Sequence, residues 1–203
     1  MKDRQSTNKI FMVEPKVFFM NPQTASSNHY QINDTNENPD KILTSSIEEF
    51  RCFRDCLKEN GVEVITMKGS AKCPDHIFPN WFTTFENGTF QIFSMLAENR
   101  RLEKTPEMID FLKKDYELTE DMSNLESENK FLESTSSMVF DRTNKVVYLT
   151  ISPRANSDLA KEWCARNGYE LVMFETESHT GNPIYHTDVL MSVSYTHLRA
   201  HET

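Results

Sequence analysis

The sequence predicts an α/β fold in which a unit of helix, strand and hairpin repeats at least three times around a ring, a propeller. Three observations carry that reading. Apolar residues switch between helical and strand periodicity along the chain, with turn signals between the runs. Two joints look alike, Cys56 to Ile65 and Cys164 to Val172: each reads as helix, a glycine cap, a residue, glutamate, then an apolar strand. Finally, a titratable residue stands at the strand entry after each joint, Asp75, then Glu133, then His186, about 50 to 60 residues apart. Units repeated radially bury one another's faces, and equivalent positions converge on the axis. The alternative is a pair of independent βαβ domains.

Taken in order, Phe11–Val13 and Val17–Met20 read as one strand broken at Pro15, because proline cannot donate to a ladder. The segment from Asn21 to Asp40 reads as loop by composition. Ile42, Leu43, Ile47, Phe50, Phe53 and Leu57 recur at helical spacing until Gly61, and Val62–Ile65 is a strand. Two strands, Ile77–Phe85 and Thr89–Leu96, flank the turn signal Glu86-Asn87-Gly88. A second round follows: a helix over Pro106–Lys114, a strand at Tyr116–Leu118, and a hairpin of Met138–Phe140 with Val146–Thr150. In the third, Ser157 caps a helix that Gly168 ends, and Tyr169–Phe174 is a strand. The last strand is Tyr185–Val193. Its alternation puts His186 and Asp188 on one face, roughly 6.6 Å apart. An imidazole beside a carboxylate suits acid–base chemistry on a charged substrate, and two acids with a histidine in one funnel suit a cationic planar group.

Composition narrows the function. The net charge of −9 over 203 residues lacks the basic face that nucleic acid needs. No apolar run is long enough for a membrane span, and the polar N-terminus has no signal-peptide core. The four cysteines show no CxxC pair and no zinc spacing, so they read as ordinary thiols of a reducing, cytoplasmic setting.

At these residues the sequence resembles the guanidino-group-modifying superfamily of amidinotransferases, arginine deiminases and dimethylarginine hydrolases, and most closely its citrulline-utilisation hydrolase branch. The matching motifs run in order from about Phe11 to Val193: Phe19–Asn28, Pro74–Phe82, Met95–Glu103, Leu132–Met138 and Ile184–Val189. The resemblance implies the pentein fold, five ββαβ-type blades around a channel, of which this chain would hold about three. It implies a hydrolase cleaving a C–N bond of a ureido or guanidino amino acid through a cysteine-thiolate intermediate, without cofactor. In that scheme Glu133 and Asp188 hold the substrate's planar nitrogens and His186 is the general acid and base. Asp75 belongs to the same charged cluster. Arg100 or Arg101 clamps the α-carboxylate, and Asn28 and Asn80 line the amino-acid end or the entrance. None of the four cysteines has the Gly-rich context of the family's nucleophile, so this chain is expected to be a truncated, inactive fragment. By this reading residues 1–10 are a disordered N-terminus, 11–193 the propeller domain and 194–203 a tail of non-native appearance. The rival function is a non-catalytic propeller binding a ligand or protein in its funnel. Oligomeric state is left open.

Overall fold

The computed structural model describes residues 4–28, 30–31, 38–179 and 181–194. It is a mixed α/β fold with three separate small sheets. In the first, β1 (Lys9–Glu14) and β2 (Glu63–Lys68) pair in parallel on either side of α1 (Pro39–Glu59). The second holds β3 (Phe82–Thr84), β4 (Thr89–Ile92) and β5 (Glu117–Asp121), with α2 (Glu98–Arg101) and α3 (Pro106–Leu112) between the last two. After a short turn, α4 (Ser134–Ser137), come β6 (Met138–Asp141), β7 (Val146–Thr150), α5 (Ser157–Asn167) and β8 (Glu170–Phe174), which make the third sheet.

The second and third sheets share one plan. An antiparallel hairpin is followed by helix, and the strand after the helix returns parallel to the hairpin's second strand. The local causes are those expected from sequence. Asn38 caps α1 by accepting from the Asp40 amide at 2.9 Å, and Pro39 occupies the first turn, where its missing N–H is no loss. Gly168 ends α5 at φ 70°, a left-handed conformation that costs a side chain about 1 kcal/mol. Capping of α5 falls to Asn156, whose side chain accepts from Leu159 N at 2.9 Å, and not to Ser157.

Two apolar cores hold the units. Trp163 of α5 sits fully buried among Phe85, Phe93, Phe140 and Tyr169, and its indole N–H donates to Gln91 Oε1 at 2.6 Å. Trp81, Phe90, Ile92, Met95, Met108, Leu112 and Val13 fill the other. Burying each large side chain is worth roughly 1.5–3 kcal/mol. By contrast, α1 buries only Phe50 and leaves Phe53 59% exposed.

Several expected elements differ. Val17–Met20 does not extend β1, and Ile77–Trp81 is turn, not strand. The segment after Ile184 is the largest correction. Instead of a buried strand it forms a 3-10 turn over Thr187–Val189, with Val189 and Leu190 45% and 50% exposed. The reason is Thr187: its hydroxyl donates to Ser137 O and accepts from Thr150 N, so a side chain occupies the place where a ladder would begin. Gln5 donates to Phe140 O at 2.7 Å and accepts from Arg142 N at 2.8 Å, and β1 begins at Lys9. Residues 195–203 of the expected tail lie outside the described residues. Among the described residues no helix is long and apolar enough to cross a membrane.

Candidate active site

The site is built from segments that follow strands of all three sheets, those after β1 and β2, after β4 and β5, and after β7 and β8. The Leu132–Ser137 turn comes first because it holds the most buried charge. Glu133 is fully buried, and Ser134 beside it sits at φ 41°, a conformation non-glycine residues adopt at a cost of roughly 1–3 kcal/mol. A backbone bond from Glu133 N to Arg154 O and a side-chain bond from Ser137 Oγ to the same carbonyl tie this turn to the loop after β7.

Every oxygen of Glu133 is engaged. Oε1 accepts from Leu96 N at 3.0 Å. Oε2 meets His186 Nε2 at 2.6 Å, with Arg154 at 3.6 Å and Arg100 at 3.8 Å. Burial alone would raise this carboxyl, but the His186 hydrogen bond and the two guanidinium charges outweigh it and hold it down, at about 2. An ionised carboxylate only accepts, so Nε2 carries the hydrogen and Nδ1 is left as the nitrogen able to take a proton. Burial pulls the imidazole's own pKa down, Glu133 pulls it up, and Arg154 lowers it again; the net direction is down, so His186 is mainly neutral near pH 7.

His186 forms part of the wall of a cavity of about 220 Å³. Asn28, Asp75, Asn80, Arg100 and Asp188 line it too. Asp75 is buried, and one of its oxygens accepts from Asn21 Nδ2 at 2.7 Å and Thr24 Oγ1 at 3.3 Å. Asp188 is exposed at the rim rather than sharing a strand face with His186. Arg100 is buried and gripped by Glu103, with Nε to Oε1 at 2.9 Å and Nη2 to Oε2 at 3.2 Å. Arg101 points elsewhere: it donates to Met95 O and Leu96 O, pairs with Glu126 and does not line the cavity. The three residues read as equivalent in the repeat, Asp75, Glu133 and His186, are therefore brought together. Glu133, however, stands behind His186 and not on the cavity wall.

Sequence reading passed over Arg154, which is 2% exposed. Its guanidinium donates to Ser27 Oγ at 2.7 Å and 3.1 Å and lies 4.6 Å over the Tyr185 ring. The signal was present, because Arg100 and Arg154 both lie in the connection between hairpin and helix of the two sheets that share a plan. Asn21 and Glu103 were missed as well; each lies inside a quoted motif but acts on a neighbour.

None of the four cysteines lines the cavity. Cys52 and Cys56 are exposed on α1, whereas Cys73 and Cys164 are buried in surroundings that raise their thiols, Cys164 to about 11. Among the described residues no group of three or more histidine, cysteine or acidic side chains is arranged to hold a metal ion. A larger groove of about 520 Å³ beside α5 also carries charges, but there Arg166 already pairs with Glu120 at 2.6 Å, and no buried titratable cluster forms.

The family profile for N,N dimethylarginine dimethylhydrolase, eukaryotic, matches residues 14–198. Among solved structures the chain is similar to the N-terminal domain of ArgZ, an arginine dihydrolase from cyanobacteria, in a substrate-bound cysteine-to-serine variant. That match has a TM-score of 0.65 at 15% identity, covering 89% of this chain and 61% of that one. It is also similar to a dimethylarginine dimethylaminohydrolase (DDAH) from Pseudomonas aeruginosa complexed with citrulline, with TM-score 0.54, 14% identity, and 82% and 60% coverage. At such identities the likeness establishes the fold, and the chain spans about three fifths of the length of these structures. No curated protein matches it.

Proposed function

The chain belongs to the N,N-dimethylarginine dimethylhydrolase family, within the guanidino-group-modifying superfamily, and from that premise we propose that its cavity binds an arginine-derived amino acid at the planar guanidino or ureido group. The observation that carries the reading is the buried, ionised Glu133 hydrogen-bonded to a His186 that faces a cavity with carboxylates and guanidinium groups on its walls. Asp75 and Asp188 take the planar nitrogens through charge-assisted hydrogen bonds. Arg154 and Arg100 supply positive charge for the α-carboxylate, and Asn28 and Asn80 line the approach. Glu133 positions His186 rather than touching the substrate.

In the hydrolytic reading a thiolate attacks the planar carbon. His186, having taken the thiol's proton at Nδ1 as the thiolate forms, passes it to the departing nitrogen, and afterwards takes one from the water that releases the product. The thiolate comes from none of these four cysteines, two being buried with raised pKa and two lying on α1. Residues 1–203 therefore bind ligand without turning it over, and the three sheets are taken as blades of a propeller. Four unpaired thiols fit a reducing, cytoplasmic setting.

Calorimetric titration of purified 1–203 with citrulline, arginine and N,N-dimethylarginine tests this, alongside Asp75→Asn. Saturable binding of at least one ligand, lost in the variant, is expected, with no ammonia, amine or ornithine released. Binding that ignores Asp75→Asn, or turnover by this chain, would overturn the assignment.

A further inference from the structure

Glu103 lies outside the cavity, yet it is fully buried and engages Arg100 at two points, through Nε and Nη2. Nη2 also donates to Phe78 O, which leaves Nη1 turned toward Glu133 at 3.8 Å. Asp75 is close enough to act electrostatically on both Arg100 and Glu103. One guanidinium thus sits among three carboxylates, those of Glu103, Glu133 and Asp75. A buried ion pair of this kind is weak support for stability, since desolvation offsets the attraction, so the grip calls for another explanation. We propose that Glu103 is a positioning residue for ligand binding: its two-point hold keeps Arg100 from closing onto Asp75 and so leaves the Asp75 carboxylate open to the ligand's planar nitrogens. This rests on the site reading above.

The geometry sets a consequence for pH. Loss of the Glu103 charge frees the guanidinium to pair with the nearest remaining carboxylates. Burial raises the Glu103 carboxyl, against the pull of Arg100, to about 7. The groups facing it are Arg100, Asp75, Glu133, the Cys73 thiol and, across the Glu103 backbone, His76. Glu133 and His76 lie at about 2 and about 4, well below 7, whereas Glu103 changes charge as pH rises through 7. Ionised Glu103 is the binding-competent form. Affinity is therefore full above about pH 8 and falls about tenfold by pH 6, one pH unit below the pKa.

The test is calorimetric titration of arginine and citrulline into the 1–203 chain at pH 6, 7 and 8, for native protein, Glu103→Gln and Arg100→Lys. Native protein is expected to lose about tenfold in affinity from pH 8 to 6. Both variants should be at least tenfold weaker at pH 8 and flat across the range, because an amide or an ammonium cannot form the two-point grip. Circular dichroism reports whether each variant folds, and the native pH profile with Arg100→Lys stands if Glu103→Gln does not. Native binding that Asp75→Asn abolishes but that neither pH nor Glu103→Gln alters would overturn this inference while leaving the site intact. No native binding at any pH would overturn both.

Discussion

Replacing Glu133 by glutamine removes one charge from the most buried ionic cluster in the protein and changes almost no volume. The glutamine oxygen can still accept from Leu96 N, but its amide nitrogen would face His186 Nε2, donor against donor, and Arg100 and Arg154 would lose their shared counter-charge. The carboxyl stands at about 2 in the fold against an ordinary 4.5. At about 1.4 kcal/mol per pKa unit, that difference is worth about 3 kcal/mol. Removing one partner of a buried ion pair typically costs roughly 3–5 kcal/mol, which agrees. For a domain of this size, about 3 kcal/mol corresponds to a fall in Tm of roughly 6–12 °C at pH 7. The pH dependence follows from the sign of the shift. A depressed carboxyl contributes stability that is fully present above its unfolded pKa and is lost as pH falls through its folded pKa. The gap between native and Glu133→Gln should therefore be constant from pH 7 to 5, narrow below about 4.5 and close near 2. Thermal unfolding followed by circular dichroism at pH 7, 5, 4 and 3 measures it. A variant within 1 °C of native at pH 7, or a gap that does not change with pH, would show that Glu133 is not the ionised centre of the cluster.

Three further outcomes are expected. A chromogenic disulfide reagent should modify two thiols in the native chain, Cys52 and Cys56, and the other two only after unfolding; a third native thiol would contradict the burial of Cys73 and Cys164. Trp163→Phe, which removes the indole donor and leaves Gln91 Oε1 without it, should cost about 1–3 kcal/mol in urea unfolding; no loss would mean the bond adds nothing. Arg101→Ala should lower stability by about 1–2 kcal/mol through loss of its bonds to two carbonyls, yet leave citrulline affinity within about twofold of native. A large fall in affinity would put Arg101 back in the site.

Much of this was legible in the chain itself, wherever one segment's fate depends on its own residues. The helical spacing from Ile42 to Leu57, the glycine stops at Gly61 and Gly168, and the hairpins over Glu86–Gly88 and Asp141–Lys145 are local chemistry, and they stand in the fold. Their recurrence also picked out Asp75, Glu133 and His186; the structure sets Asp75 and His186 on the wall of one cavity and Glu133 behind His186. Other features waited on tertiary structure. The run from Val189 to Val193 has strand composition, but the Thr187 hydroxyl takes the neighbouring strand's amide and the apolar side chains stay outside. Arg100 and Arg101 are chemically identical neighbours. Successive helical positions face in different directions, so one is gripped by Glu103 at the cavity while the other ties down Met95 and Leu96. Likewise only the fold sets Glu133 behind His186 and brings Arg154 beside it. A side chain's type states what it can bond; which partner it meets depends on segments arriving from elsewhere in the chain.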